Sequence, residues 1–242
     1  MFKLYKVGGC VRDRLMRVKT KDIDFVFVIS DLSSVKSVEQ GFEMMQSYMM
    51  ENGFTIFLST PDCYTIRAKF PVDHKFSGLA ADFVLARKEV GYYEGTRRPI
   101  LELGTLHDDL IRRDFTVNAM AEDDDGNVID LFGGMKDLND KLLRTPLDCE
   151  ITFNDDPLRI LRAIRFSITK GFQIQSQMWH VMYHYDYVGK MSVVSDERIR
   201  EELFRCFKHD TLETLEKLRQ FPHLINYIFR DNKLWLKPTF EQ

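Results

Sequence analysis

The stretch Lys21-Asp22-Ile23-Asp24-Phe25-Val26-Phe27-Val28-Ile29 decides how the amino-terminal half of this chain folds. Its run of branched and aromatic residues reads as a strand over 23–29, and it opens on two acids separated by one apolar residue. A strand turns successive side chains to opposite faces. Asp22 and Asp24 are therefore expected to project together, about 6.6 Å apart along the strand, while Ile23 and Phe25 enter the core. Two carboxylates at that spacing suit a pair of hard divalent cations about 3.5–4 Å apart. Alone, the pattern suits equally well a strand edge that ends in solvated acids.

Just upstream lies Val7-Gly8-Gly9-Cys10-Val11-Arg12-Asp13-Arg14. Paired glycines after a strand, here expected at 2–7, let the backbone approach a ligand closely. The helix that follows, expected at 11–16, offers free N–H groups and a positive dipole end to phosphates, and Arg12 adds charge. A plain tight turn has the same appearance. The two segments together are more telling, because a phosphate cradle beside a carboxylate pair is what nucleotidyl transfer from a nucleoside triphosphate needs. A third catalytic carboxylate is sought in Leu79-Ala80-Ala81-Asp82-Phe83-Val84-Leu85-Ala86-Arg87, where Asp82 is the candidate and a solvated edge acid the alternative.

Two more segments carry candidate nucleotide-binding groups. In Asp109-Leu110-Ile111-Arg112-Arg113-Asp114-Phe115-Thr116-Val117-Asn118-Ala119-Met120-Ala121, Arg112, Arg113 and Asn118 can bond a triphosphate and its ribose, with Phe115 and Val117 anchoring the turn. In Asn154-Asp155-Asp156-Pro157-Leu158-Arg159-Ile160-Leu161-Arg162-Ala163-Ile164-Arg165-Phe166, Asn154 or Asp155 is expected to cap a helix whose first turn holds Pro157. Leu158, Leu161, Ile164 and Ile168 form its apolar stripe, and Asp156, Arg159 and Ala163 fall opposite. An acceptor and a donor fork one turn apart can pair with the edge of a base, or simply with each other.

The rest of the chain sets bounds. With 34 Lys and Arg against 37 Asp and Glu, the net charge is −3, so any RNA contact comes from local clusters, not from overall charge. Cys10, Cys63, Cys149 and Cys206 never form a CxxC pair, which argues against a zinc knuckle or a disulfide framework and suits a reducing cytoplasm. No apolar run is long enough for a membrane span, and Met1 to Lys6 does not read as a signal peptide. Further strands are expected at 54–58, 64–70 and 80–87 and a helix at 35–52. Apolar residues recur at helical spacing through 157–168, 177–188, 196–208 and 212–221. The expected organisation is an α/β domain over 1–125, a connector over 126–153 and a helical module over 154–242. His180 and His184 lie one helical turn apart among Trp179, Met182 and Tyr183 and read as packing; His209-Asp210 reads as a helix end.

These strings resemble the class II tRNA nucleotidyltransferases, the CCA-adding enzymes, and the related bacterial poly(A) polymerases. Gly8 to Asp13 with Asp22-Ile23-Asp24 is similar to the family's catalytic motif, and Arg112-Arg113-Asp114-Phe115-Thr116-Val117-Asn118-Ala119-Met120-Ala121 to its ribose and triphosphate motif. Asp130-Leu131-Phe132-Gly133-Gly134 resembles the connector between head and neck. Asp155-Asp156-Pro157-Leu158-Arg159 resembles the nucleotide-selecting motif, with Asp155 where Glu is usual, and Ser195 to Leu203 the helical motif beyond it.

The resemblance implies a polymerase-β-like α/β (α+β) head with Mg2+ on Asp22 and Asp24, then an all-helical neck and a shortened body. Gly8, Gly9, Arg12, Arg112, Arg113, Asp114 and Asn118 would bind nucleotide in the head. Asp156 and Arg159, with Arg162 and Arg165 on the same helix, would select CTP or ATP without a template. Transfer to a tRNA 3′ end would then build CCA. C-only addition, poly(A) synthesis and an idle RNA-binding relative are the alternatives. The segment 88–104, with Tyr92, Tyr93, Glu94, Gly95, Arg97 and Arg98, occupies the place of the loop linked in the family to switching from C to A. The family continues with body and tail domains beyond the point matching Gln242, so a weaker grip on RNA, or a homodimer or accessory partner restoring it, is expected.

Overall fold

In the computed structural model, which describes residues 2–20, 22–93, 99–184, 188–231 and 234, the first strand is β1 (Phe2–Val7). It pairs antiparallel with β2 (Asp24–Ile29) along its full length, from Phe2 opposite Ile29 to Val7 opposite Asp24. The strand expected from Ile23 thus begins at Asp24, and Asp22 precedes the sheet instead of sharing a strand face with Asp24. The cause lies in the partner: Gly8, at φ 77°, turns the chain out of β1 into helix α1 (Gly9–Leu15), so β1 offers no residue to pair with Asp22.

Helix α2 (Val38–Glu51) follows, capped by Ser37, whose Oγ accepts from the Gln40 N–H at 3.2 Å. It starts three residues later than expected because Asp31 caps a separate 3-10 turn at Leu32–Ser34. Strands β3 (Thr55–Thr60), β4 (Thr65–Lys69) and β5 (Ala80–Leu85) return the chain beside β2, and β5 runs parallel to it. A hairpin of β6 (Arg87–Tyr92) and β7 (Pro99–Leu103) and helix α3 (Leu106–Ile111) lead into β8 (Met120–Glu122) and β9 (Val128–Asp130). Seven of these strands form one sheet in the order β3-β4-β5-β2-β1-β8-β9.

Alternation along β2 sends Phe25 and Phe27 to one face, where Phe83 of β5 and Phe42, Met45 and Met49 of α2 bury them. Each such aromatic contributes about 1.5–3 kcal/mol by leaving water. Val26 goes to the other face with Val7, Leu110 and Ala121. Asp24 and Asp82 lie two residues from Val26 and Val84, so the acids occupy this second face.

The acidic stretch Glu122 to Asn127 is the β8–β9 hairpin turn: the Asp123 carboxylate accepts from Asp125 N at 3.0 Å and Asn127 N at 2.8 Å, and Gly126 takes φ 85°. The sheet therefore continues past residue 125. Asp130 then accepts from Gly134 N at 2.7 Å and Met135 N at 2.9 Å, opening helix α4 (Gly134–Asn139). One compact unit comprises 1–92 and 99–138 and the second comprises 93–98 and 139–242, so the expected connector divides between them.

The second unit is helical apart from a parallel pair, β10 (Leu142–Leu143) with β11 (Gln173–Ile174). Its helices are α5 (Cys149–Asp155), α6 (Leu158–Lys170), α7 (Ser176–His184), α8 (Val188–Met191), α9 (Asp196–His209), α10 (Thr211–Arg219) and α11 (Pro222–Ile225). Gly171, at φ 67°, ends α6. Asp210 ends α9 and caps α10 through Glu213 N at 2.9 Å, so His209-Asp210 is a helix end. Among the described residues no helix is long and apolar enough to cross a membrane.

Candidate active site

Sheet register assembles the acids. Asp24 faces Val7 on one side and Asp82, in the parallel strand β5, on the other. Paired residues share a face, so the two aspartates stand side by side on strands about 4.8 Å apart. Arg67, opposite Asp82 in β4, reaches its Oδ1 at 3.3 Å. Asp22 is exposed. The half-buried Asp24 carboxyl sits above the ordinary carboxylate value, chiefly because burial disfavours its charge; the carboxylates of Asp82 and Asp22 add to this and Arg113 opposes it. Among the described residues no three His, Cys, Asp or Glu side chains converge tightly enough to hold a metal ion. The donor set still fits a divalent cation. The carboxylates of Asp82 and Asp22 crowd the desolvated Asp24, and a cation relieves that repulsion.

The glycine turn closes onto the same end of β2. Gly8 N donates to Met120 O at 3.2 Å, and a Cβ at Gly8 would lie 2.6 Å from Arg113 Nη1. Its backbone, φ 77° and ψ −135°, is open to glycine alone among common residues. Arg12 is nearly buried: Nε and Nη2 donate to Asp13 Oδ1 at 2.9 and 2.7 Å, and Nη1 donates to Asn118 Oδ1. The charge expected to face phosphate is thus engaged by Asp13 and Asn118, and Arg12 ties α1 to the Asn118 turn. Asn118 Nδ2 donates to Asp114 Oδ1 at 2.8 Å, and that oxygen also accepts from Phe115 N. Thr116, in the same turn, donates to Asp137 Oδ2 at 2.5 Å, and Gly134 lies directly against the Thr116 carbonyl.

Asp109 is the residue the sequence reading passed over. It sits in α3, where Thr105 and Asp108 form a capping box, and its side chain is 0% exposed. Arg112 Nη2 donates to Oδ1 at 2.5 Å; Arg113 Nε and Nη2 donate to Oδ2 at 3.1 and 2.7 Å. The two arginines hold its carboxyl far below the ordinary range despite burial. Arg112 also reaches Glu89 of β6 at 3.3 Å. The signal was the i,i+3 and i,i+4 spacing of an acid before two arginines, which a charge-dense segment hides among solvated residues.

In the second unit Asp156 links α5 to α6. Its Oδ1 accepts from Leu158 N at 3.1 Å and its carbonyl from Arg159 N at 3.0 Å. The cap expected of Asn154 or Asp155 is thus made by Asp156, because α5 extends through Asp155. Asp156, at the junction of α5 and α6, and Arg159, in the first turn of α6, are both half-buried. Ala163, expected opposite the apolar stripe, is fully buried, since α6 is covered almost all round. Arg165 is buried too and donates to Glu202 Oε2 of α9 at 2.5 Å, with Arg162 3.6 Å from Oε1. These two arginines join α6 to α9. Trp179 packs against Phe221 at 4.8 Å. Of the segment 88–104, Glu94, Gly95, Arg97 and Arg98 lie outside the described residues, as does the His184 side chain.

Residues 4–144 match the family model for the poly(A) polymerase head domain. That span holds the glycine turn, Asp22, Asp24 and Asp82, and both Arg112 and Arg113. The chain belongs to the poly(A) polymerase head-domain family. Among curated members of such enzymes it is 37% identical to the CCA-adding enzyme of Pseudomonas putida, over 86% of this chain and 50% of that one. It is 33% identical to the multifunctional CCA protein of Pseudoalteromonas atlantica, over 98% of this chain and 54% of the relative. The Thermotoga maritima CCA-adding enzyme, solved with tRNA, superposes with a TM-score of 0.71 at 27% identity, covering 98% of this chain and 50% of that one. A tRNA nucleotidyltransferase solved with a primer tRNA and an incoming ATP analog gives 0.71 at 29% identity, covering 95% and 60%. The chain spans about half the length of the curated relatives it matches.

Proposed function

We propose that this protein is a template-independent nucleotidyltransferase that adds C and A residues to the 3′ end of tRNA from CTP and ATP, releasing pyrophosphate. One observation carries the reading: Asp24 and Asp82 stand in register beside a glycine turn over which Arg113 is held. Carboxylates for cations and a guanidinium for phosphate oxygens are the parts that phosphoryl-type transfer requires. The relatives named above, one solved with tRNA and another with an ATP analog, supply the acceptor and the donor.

In the reaction the acceptor's 3′ oxygen bonds to the α-phosphorus, and the bond to the bridging oxygen of the β-phosphate breaks. Gly8 and Gly9 leave the backbone bare for the triphosphate, and Arg113 offers Nη1 to its oxygens. Asn118, fixed by Arg12 and Asp114, meets the ribose. Enzymes of this family generally use divalent metal ions, and Asp22 and Asp24, with Asp82 completing the set, would hold Mg2+ here. When bound, the cation neutralises charge on the phosphates and acidifies the attacking hydroxyl. In the second unit Asp156 and Arg159 present an acceptor and a fork of donors for a base edge, with Asp155 as support. Four free thiols and an RNA-end substrate support a cytoplasmic setting for this work.

The test is product sequencing after the protein is incubated with Mg2+ and a tRNA lacking its CCA end, with each nucleotide alone and both together. Addition of CCA is expected. Cytidines only would mark a CC-adding enzyme, a long adenosine tail a poly(A) polymerase, and no extension would refute the assignment.

A further inference from the structure

We propose that Asp109 is a positioning residue for nucleotide binding, fixing the Arg113 guanidinium so that Nη1 faces the Gly8 turn. The inference rests on the reading of the first unit as a nucleotidyltransferase head and adds a residue that never touches the substrate. Asp109 is shut off from solvent, and both of its oxygens are occupied. Arg113 is gripped along one edge by two N–H···O bonds to the same oxygen, Nε at 3.1 Å and Nη2 at 2.7 Å. Such a grip fixes the plane of the guanidinium. The third nitrogen, Nη1, takes no part in it and lies 2.6 Å from where a Gly8 Cβ would stand.

The same carboxylate holds the adjacent arginine through its other oxygen. Arg112 also reaches Glu89 of β6, at 3.3 Å. Asp109 therefore sends one arginine to the hairpin and the other to the phosphate site. Were the clamp removed, Arg113 would remain a cation but would sample several rotamers, and an anionic triphosphate would have to order it on binding. Binding should suffer far more than the chemical step.

The decisive comparison is between Asp109→Asn and Thr105→Ala, which removes the cap of the same helix without touching either arginine. Loss of the clamp is expected to raise the KM for CTP about tenfold or more while kcat stays within about threefold, with Asp109→Glu restoring part of the affinity. Thr105→Ala should lower Tm and leave KM as in the wild type. A KM for Asp109→Asn within about twofold of wild type, or an equal rise in Thr105→Ala, overturns the proposal. If Asp109→Asn does not fold, Arg113→Lys, which keeps the charge but cannot make the two-nitrogen grip, should show the same rise; an unchanged KM there also overturns it. Calorimetric titration with CTP alone reads the clamp without any acceptor RNA, so a wrong acceptor and a wrong role for Asp109 give different results.

Discussion

Asp24 and Asp109 are both withdrawn from water, and their surroundings push them in opposite directions. Burial and two neighbouring carboxylates raise Asp24, so the folded form gives up its proton at a higher pH than the unfolded chain does. Its stabilising share is present below the ordinary value of 3.8 and lost as pH rises through the folded value. At pH 7 without divalent ions, Asp24→Asn should therefore melt above wild type, with the gap closing in acid, while nucleotide incorporation falls on the order of 10³-fold. Calorimetry in chelator and an extension assay check both halves, and a lower melting point at pH 7 would contradict the assigned crowding. Asp109 behaves the other way. Two arginines depress it, so its stability share is present above 3.8 and disappears only in strong acid. Asp109→Asn should cost about 2–3 kcal/mol at neutral pH, because it removes the buried charge that two half-buried guanidinium groups share. Denaturant melts from neutral to acidic pH should show the difference shrinking as the wild type protonates.

At the scale of elements, the short 3-10 turn at Thr116–Asn118 is held from outside by α4. Gly134 touches the Thr116 carbonyl and Asp137 binds the Thr116 hydroxyl. Gly134→Ala should push that turn away from α1, costing about 1–3 kcal/mol and weakening the Arg12–Asn118 tie. A lowered melting temperature together with reduced nucleotide affinity is the expected pair of readings, and wild-type values for both would refute the coupling. Strand β1 and helices α6, α9 and α10 were legible because alternation and helical spacing are local properties of the chain. The hairpin β6–β7 was not, because charged residues such as Lys88, Glu89 and Glu102 break the alternation that marks a strand. Asp24 and Asp82 were readable as acids at strand ends; that they are register neighbours depends on which strands pair, which no local pattern states. Asp109 was hidden for the same reason. A buried acid can be told from a solvated one only by what closes over it, and Ala163 was misplaced because the helix carrying it is enclosed on nearly every side.

For the whole molecule, balanced charge limits how RNA can be held. A net charge of −3 gives no long-range attraction for a duplex, so a base-paired RNA without a free 3′ overhang should bind no tighter than about 10⁻⁴ M at physiological salt. Fluorescence anisotropy against a labelled duplex checks this, and micromolar binding would point to a basic surface that composition conceals. The pairing of β1 with β2 has one more consequence. Because acid and aromatic alternate there, sliding β2 by a single position would send Asp24 inward and Phe25 outward together. A mis-zipped copy would lose the proposed metal ligand and display a greasy ring in the same stroke. Inactive molecules of this kind should therefore be the sticky ones, and passage over a hydrophobic column ought to raise the specific activity of what flows through.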